Sequence, residues 1–167
     1  MYRTGHYGAA LLAYAPIAFV IVAWGLQTLA LVGGLLAVGL ATLPDYDQRV
    51  PFVEHRGPTH TVWFVLLVAI PLGVIGGLAG RSAGLATTLG LAAFGFLVGV
   101  VAIGSHVAAD ALTPAGVRPF APLDSRKYTY SVTKAKNPVA NYLLLALGAV
   151  AVAGAFVLGN GLADAVP

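Results

Sequence analysis

The chain has 167 residues, of which 59% are apolar and only 9% charged. A soluble domain carries about 25% charged residues, so this chain lacks the polar groups to cover a water-facing surface, and lipid is the solvent its composition fits. The net charge of +3 does not point to a nucleic-acid partner, because the few charges sit beside apolar runs and form no basic stripe. There is no cysteine, which excludes disulfides and leaves imidazole, carboxylate and water as the ligands of any transition-metal site.

The first uncharged stretch runs from Tyr7 to Pro44. As one helix it would be about 55 Å long at 1.5 Å per residue, against a hydrocarbon core of about 30 Å. Two spans joined by a tight turn are therefore expected. Trp24-Gly25-Leu26-Gln27-Thr28 supplies an interfacial aromatic, a breaker and the run's only amide. Span one is read over about residues 8–25, with a kink expected at Pro16, and span two over about 28–43. Ala13-Tyr14-Ala15 has the look of a signal cleavage site, but it lies too early in an apolar run that continues well past it, so the segment is read as retained.

A polar loop follows over residues 44–60. Span three is expected over about 61–79, capped by Thr59 or Thr61, with Trp63 at the interface. Arg81-Ser82-Ala83-Gly84 is a short connection to span four, over about 85–109. The segment 110–138 is the longest polar one, and span five covers about 139–162. The fold class is an all-α integral membrane protein, one helical domain of about five transmembrane helices. Gly73/Gly77, Gly76/Gly80 and Gly95/Gly99 place small residues four apart on spans three and four, a pattern that lets helix backbones approach closely in lipid.

Five spans put the N-terminus, loop 44–60 and loop 110–138 at one membrane face. Eight of the nine basic residues fall there, and Arg81 alone falls on the other. The positive-inside rule makes that face, and the N-terminus, cytoplasmic.

The same face collects the ligand-type side chains. His6 precedes span one, Asp45 and Asp47 follow span two, His55 and His60 precede span three, and His106 and Asp110 end span four. These are seven of the ten histidines and acids in the chain. His106 and Asp110, four apart, share one face of a helix. Asp45 and Asp47 follow Pro44, where an extended or turn backbone is expected. Gly57-Pro58 prevents a continuous helix between His55 and His60, and His60 is expected at the positive end of span three, which favours the neutral imidazole that a metal needs. His6, Asp45, His60, His106 and Asp110 are the expected ligands. Asp47 and His55 are candidates for bridging ligand, for orienting an imidazole, or for general base. Seven groups exceed one four-coordinate site, so one or two ions are expected. Zinc suits the donors best, with manganese or iron as alternatives. Arg56 is placed to pair with a substrate phosphate or carboxylate, or with anionic headgroups. Thr113, one turn beyond Asp110, is expected to bond to a ligand. A proton or ion path would also use intramembrane His and Asp, but the spans carry no ionisable group at mid-depth.

At these residues the chain resembles the YdjM-like family of inner-membrane metal-dependent hydrolases. The matching pieces are Thr4-Gly5-His6 with Gly8; Leu43-Pro44-Asp45-Tyr46-Asp47; His55-Arg56-Gly57-Pro58-Thr59-His60-Thr61; and Ser105-His106-Val107-Ala108-Ala109-Asp110-Ala111-Leu112-Thr113-Pro114 running on to Phe120. Two positions depart from the pattern: Gly5 stands where the family often has Thr, and Gln48 where it often has His. The resemblance implies a multi-pass protein of the cell's inner membrane that uses a divalent metal for hydrolysis. A metal site at headgroup depth would act on an ester or phosphoester, a lipid among the options. The rival expectations are a metal-stabilised membrane scaffold that docks a protein partner through loop 110–138 and, third, a small transporter.

Overall fold

The computed structural model describes residues 1–165. It is all-helical, with five α-helices: α1 (Arg3–Ala23), α2 (Gln27–Leu40), α3 (Val62–Gly80), α4 (Leu85–Ala111) and α5 (Pro138–Ala165). Five helical segments are long and apolar enough to cross a membrane, the second being α2 continued to Arg49. Helix α1 begins at Arg3, earlier than the apolar run suggests, and carries His6 inside its first turns. Hydropathy locates where lipid begins, whereas the helix continues wherever its backbone bonds are satisfied. Pro16 lies within continuous α1, and Pro71 likewise within α3.

Helix α2 has 14 residues, about 21 Å, too short to cross the hydrocarbon core. The crossing is completed by a 3-10 helix, Pro44–Arg49. Of the extended or turn backbone expected at Asp45 and Asp47, the structure shows the turn form. Pro44 occupies its first turn, where a missing N–H costs nothing. A second 3-10 turn, Pro58–His60, leads into α3, which is capped by Thr61, whose hydroxyl accepts from the Phe64 amide at 3.4 Å.

Two helix pairs make the bundle, α1 with α5 and α3 with α4, and α2 packs against α1 and α4. Backbones meet directly at glycines. A side-chain carbon at Gly76 would strike the Leu91 carbonyl, and one at Gly95 the Leu72 carbonyl. The α1–α5 contact has the same logic across distant sequence: a carbon at Gly8 would strike the backbone at Leu144 and Leu145, and one at Gly148 the Gly8 carbonyl. Tyr14, Ala18, Ala37, Phe94, Val98, Ala102 and Ala155 form the buried apolar centre. Large residues such as Leu35, Leu67, Val150 and Leu158 face outward, as lipid contact requires.

The helices alternate in direction. The starts of α1, α3 and α5 and the ends of α2 and α4 therefore share one end of the bundle. At the opposite end Gln27 Nε2 donates to Asn160 Oδ1 at 3.0 Å, joining the α1–α2 turn to the last turns of α5. That turn needs Gly25, at φ 76°, and the α3–α4 turn needs Gly84, at φ 96°. The long 112–137 segment folds back over the first end. Tyr130 N–H donates to the Ala111 carbonyl and Val132 N–H to that of Leu112, both at 2.8 Å, so the free carbonyls at the end of α4 are satisfied. Val62 N–H donates to the Pro119 carbonyl at 2.8 Å, which ties the start of α3 to the same segment.

Candidate metal centre

Four elements converge at the polar end. Helix α1 supplies His6, the 3-10 helix after α2 supplies Asp45, the turn before α3 supplies His60, and the last two turns of α4 supply His106 and Asp110. His6, His60, His106 and Asp110 are fully buried. Their donor atoms face one another. His60 Nε2 and His106 Nε2 are 3.1 Å apart, and Asp45 Oδ1 is 3.8 Å from the first and 3.6 Å from the second. Asp45 Oδ2 lies 3.7 Å from His6 Nε2. Asp110 Oδ2 lies 3.5 Å from His60 Nε2 and 3.9 Å from His106 Nε2. Ligands about 2.0–2.2 Å from a divalent ion stand about 3.3–3.6 Å apart in a tetrahedron, so these separations suit a common ion.

Among the described residues two buried side-chain atoms lack a hydrogen-bond partner, His6 Nδ1 and Asp110 Oδ2, and the second points the same way. Asp110 Oδ1 accepts from Arg56 Nη2 at 3.0 Å and from the Met1 nitrogen at 2.7 Å. Its second oxygen, Oδ2, is buried with no hydrogen-bond partner. A buried carboxylate oxygen with nothing to bind is costly, and here it is aimed among imidazole nitrogens. The donor set of neutral nitrogens and carboxylate oxygens fits zinc-like divalent ions.

A surrounding shell sets which nitrogen His106 and His60 present. His106 Nδ1 donates to the Ala41 carbonyl at 2.7 Å, leaving the Nε2 lone pair for the centre. Its ring stacks on that of His6, with centroids 3.7 Å apart and planes 10° from parallel. His60 Nδ1 lies 3.0 Å from Thr59 Oγ1, and Thr59 in turn donates to Asp47 Oδ2 at 2.8 Å. Carboxylate and hydroxyl partners of this kind hold ring orientation and raise ligand basicity. Burial opposes a charge on His60, but the nearby Asp110 and Asp45 carboxylates favour it and outweigh that, and its pKa is raised above the usual imidazole value.

Asp47 is buried behind this layer and belongs to neither of the two donor groups whose spacing could hold an ion, His6/Asp45/His106/Asp110 and Asp45/His55/His60. Its oxygens are committed to His55 Nδ1 at 2.9 Å, to Thr59, and to the Arg56 amide at 3.2 Å. His55 is the accessible member of the second group, with 42% of its side chain exposed. Asp45 is common to both groups.

Arg56 occupies the left-handed region, at φ 64°, which is uncommon for a residue with a side chain. Besides Asp110, its guanidinium donates to Thr113 Oγ1 at 3.0 Å and to the Gly116 carbonyl at 3.1 Å. The expected anion-binding arginine is thus engaged with a candidate ligand on one edge. Thr113 touches that arginine and the Asp110 backbone carbonyl, at 2.8 Å, not a ligand carboxylate.

Sequence reasoning passed over three groups. Thr59 was weighed only as a helix cap, although its place directly before His60 is the available signal. The Met1 nitrogen, 3.1 Å from His6 Nε2, had none. Asn141 is fully buried on α5, accepts from Tyr2 N–H at 3.0 Å and donates to the Asn137 carbonyl at 2.7 Å, fixing the start of α1. Being one of only two amide side chains in a long apolar run was its signal. It also accounts for Gly5, because a side-chain carbon there would strike the Asn141 amide. At the other departure, Gln48 Nε2 donates to Asp45 Oδ1 at 3.3 Å.

No curated protein and no solved structure matches the chain. A family model described as YdjM inner membrane protein matches residues 1–163, nearly the whole length and every element that supplies a donor. With five membrane-length helices and this match, the chain is a multi-pass inner-membrane protein that belongs to the YdjM family.

Proposed function

We propose that the chain is a membrane-bound metal-dependent hydrolase that cleaves an ester or phosphoester at the cytoplasmic face. The observation that carries the metal is the orphaned Asp110 Oδ2, 3.5 Å from His60 Nε2 and 3.9 Å from His106 Nε2. The hydrolytic part rests on the resemblance to metal-dependent hydrolases and on the reactive groups beside the donors.

His6, Asp45, His60, His106 and Asp110 would hold the ion. A divalent ion in this place polarises an ester or phosphoryl oxygen and lowers the pKa of a bound water. Asp47 holds His55 by Nδ1, so Nε2 is the nitrogen free to take a proton, and the carboxylate stabilises the imidazolium that results. Arg56 uses three of its five N–H groups on protein oxygens. The rest remain for an anionic substrate oxygen, while its bond to Oδ1 keeps Asp110 turned with Oδ2 inward. His6, His60, His106 and Asp110 are buried from bulk water, and solvent reaches the centre at Asp45 and His55.

Metal analysis of purified protein tests the centre, and hydrolysis of chromogenic esters and phosphodiesters by metal-loaded protein tests the chemistry. Stoichiometric metal with turnover that disappears in Asp45→Ala is expected. Metal without turnover would favour the scaffold reading instead. The cytoplasmic orientation rests on the basic residues at the donor end. The chain has no cysteine, so single substitutions report sidedness cleanly. In intact cells a thiol reagent that cannot cross the membrane should label Ser82→Cys and spare Arg126→Cys, and the reverse pattern would overturn the orientation.

A further inference from the structure

Beside the donor cluster lies a cavity of about 920 Å³ with two unlike walls. One is the first turns of α3, where Trp63, Phe64 and Leu67 line it. Leu67 is 65% exposed, so this wall runs on into the helix face that meets lipid. The other wall is the 115–127 segment, which brings Arg118 and Lys127. Both are exposed, and neither has an acidic partner within 4 Å among the described residues. With Arg56 the lining holds three basic side chains against one acid, Glu54.

The walls are held in place. The Val117 and Tyr128 backbones bond to each other at 3.0 and 2.8 Å, and Pro119 is tied to the first residue of α3. His55, which lines the cavity, also belongs to the Asp45/His55/His60 donor group, so the cavity opens onto the candidate centre. A soluble anion has no use for the apolar wall, and a neutral lipid has none for the cations. An amphiphile with an anionic head at interface depth uses both.

We propose that this cavity binds a phosphate-bearing anionic membrane lipid, with the phosphate at Arg118 and Lys127, the start of the acyl chain along Trp63 and Leu67, and the headgroup esters facing His55. That this lipid is the substrate rests on the hydrolase reading; its occupancy of the cavity does not. The test reads occupancy alone. Full-length protein carrying Trp24→Phe, so that Trp63 is the sole tryptophan, is placed in phosphatidylcholine nanodiscs with chelator present. Brominated-chain phosphatidate should quench Trp63 at a several-fold lower mole fraction than brominated phosphatidylcholine, and the Arg118→Gln/Lys127→Gln variant should lose that preference. Equal quenching by the two lipids would overturn the proposal. So would an equal preference reported by Trp24 in a Trp63→Phe protein, which would mean general enrichment around the bundle. Relief of quenching by millimolar inorganic phosphate would also overturn it, by showing a site for free anions. Selective quenching without hydrolysis by metal-loaded protein would uphold the binding and count against the hydrolase reading alone.

Discussion

The two ends of the bundle use the same helices for opposite purposes. At the far end the connections are tight turns made possible by Gly25 and Gly84, and among the described residues one bond between side chains, Gln27 to Asn160, links them. Trp24 stands 72% exposed there, as an interfacial aromatic does. At the donor end, buried imidazoles and carboxylates crowd within 4 Å, and three of them are positioned by a second group: His106 by Ala41, His60 by Thr59, Asp110 by Arg56. Nothing in lipid packing alone demands such a cluster, because buried polar groups without full partners destabilise a fold. The difference teaches where this chain departs from plain membrane packing, and each contrast can be attacked separately.

The largest effect is expected on removing a donor. Asp45→Ala or His106→Ala should weaken metal binding by more than about 100-fold, beyond the about 10–100-fold typical of supporting groups, as read by titration against a competing chelator. Unchanged affinity in both would end the comparison, since the two ends would then differ only in composition. Thr59→Val should fall in that 10–100-fold range with thermal stability near that of the parent protein, because the hydroxyl acts on His60 and Asp47 without packing a helix.

Acidification should come next in size. The folded metal-free protein holds a proton on His60 above the ordinary imidazole value of 6.5, and metal must displace it. Affinity should therefore climb with pH through 6.5 and level only above the raised value, changing about tenfold per pH unit below that point for one displaced proton. In the metal-free protein the linkage runs oppositely: the stabilisation from charged His60 is fully present below 6.5 and is lost as pH rises through the raised value. Isothermal titration across pH 5.5–8.5 (an about 3-unit window chosen to bracket the transition) reads the first directly. At the far end, Gln27→Leu should leave metal affinity unchanged and cost only about 0.6 kcal/mol, the usual worth of one interhelical hydrogen bond in a membrane, measured by thermal unfolding in detergent.

Much of this architecture is legible in single residues. Trp24 and Gly25 mark the first turn, and Thr61 the start of α3. The four-residue spacing puts His106 and Asp110 on one face of α4. The glycines of α3 and α4 are visible as a local pattern, whereas the equally close approach of Gly8 and Gly148 is not, because its two halves lie 140 positions apart and belong to no repeat. Asp47 shows the limit most clearly. Two positions from Asp45 in sequence, it is separated from the centre by the turn of a 3-10 helix, which sends one carboxylate into the donor cluster and the other behind His55 and Thr59.

By itself the sequence determined the number of crossings and which side chains share an end. Both follow from quantities that add along the chain: apolar length against bilayer thickness, and the parity of reversals. Only the tertiary structure decided which donors converge, which oxygen of Asp110 is left free, which nitrogen His60 and His106 present, and that a two-walled cavity lies beside His55. Those depend on how far each helix is rotated about its axis and on partners drawn from other elements, and no local pattern in the chain encodes either.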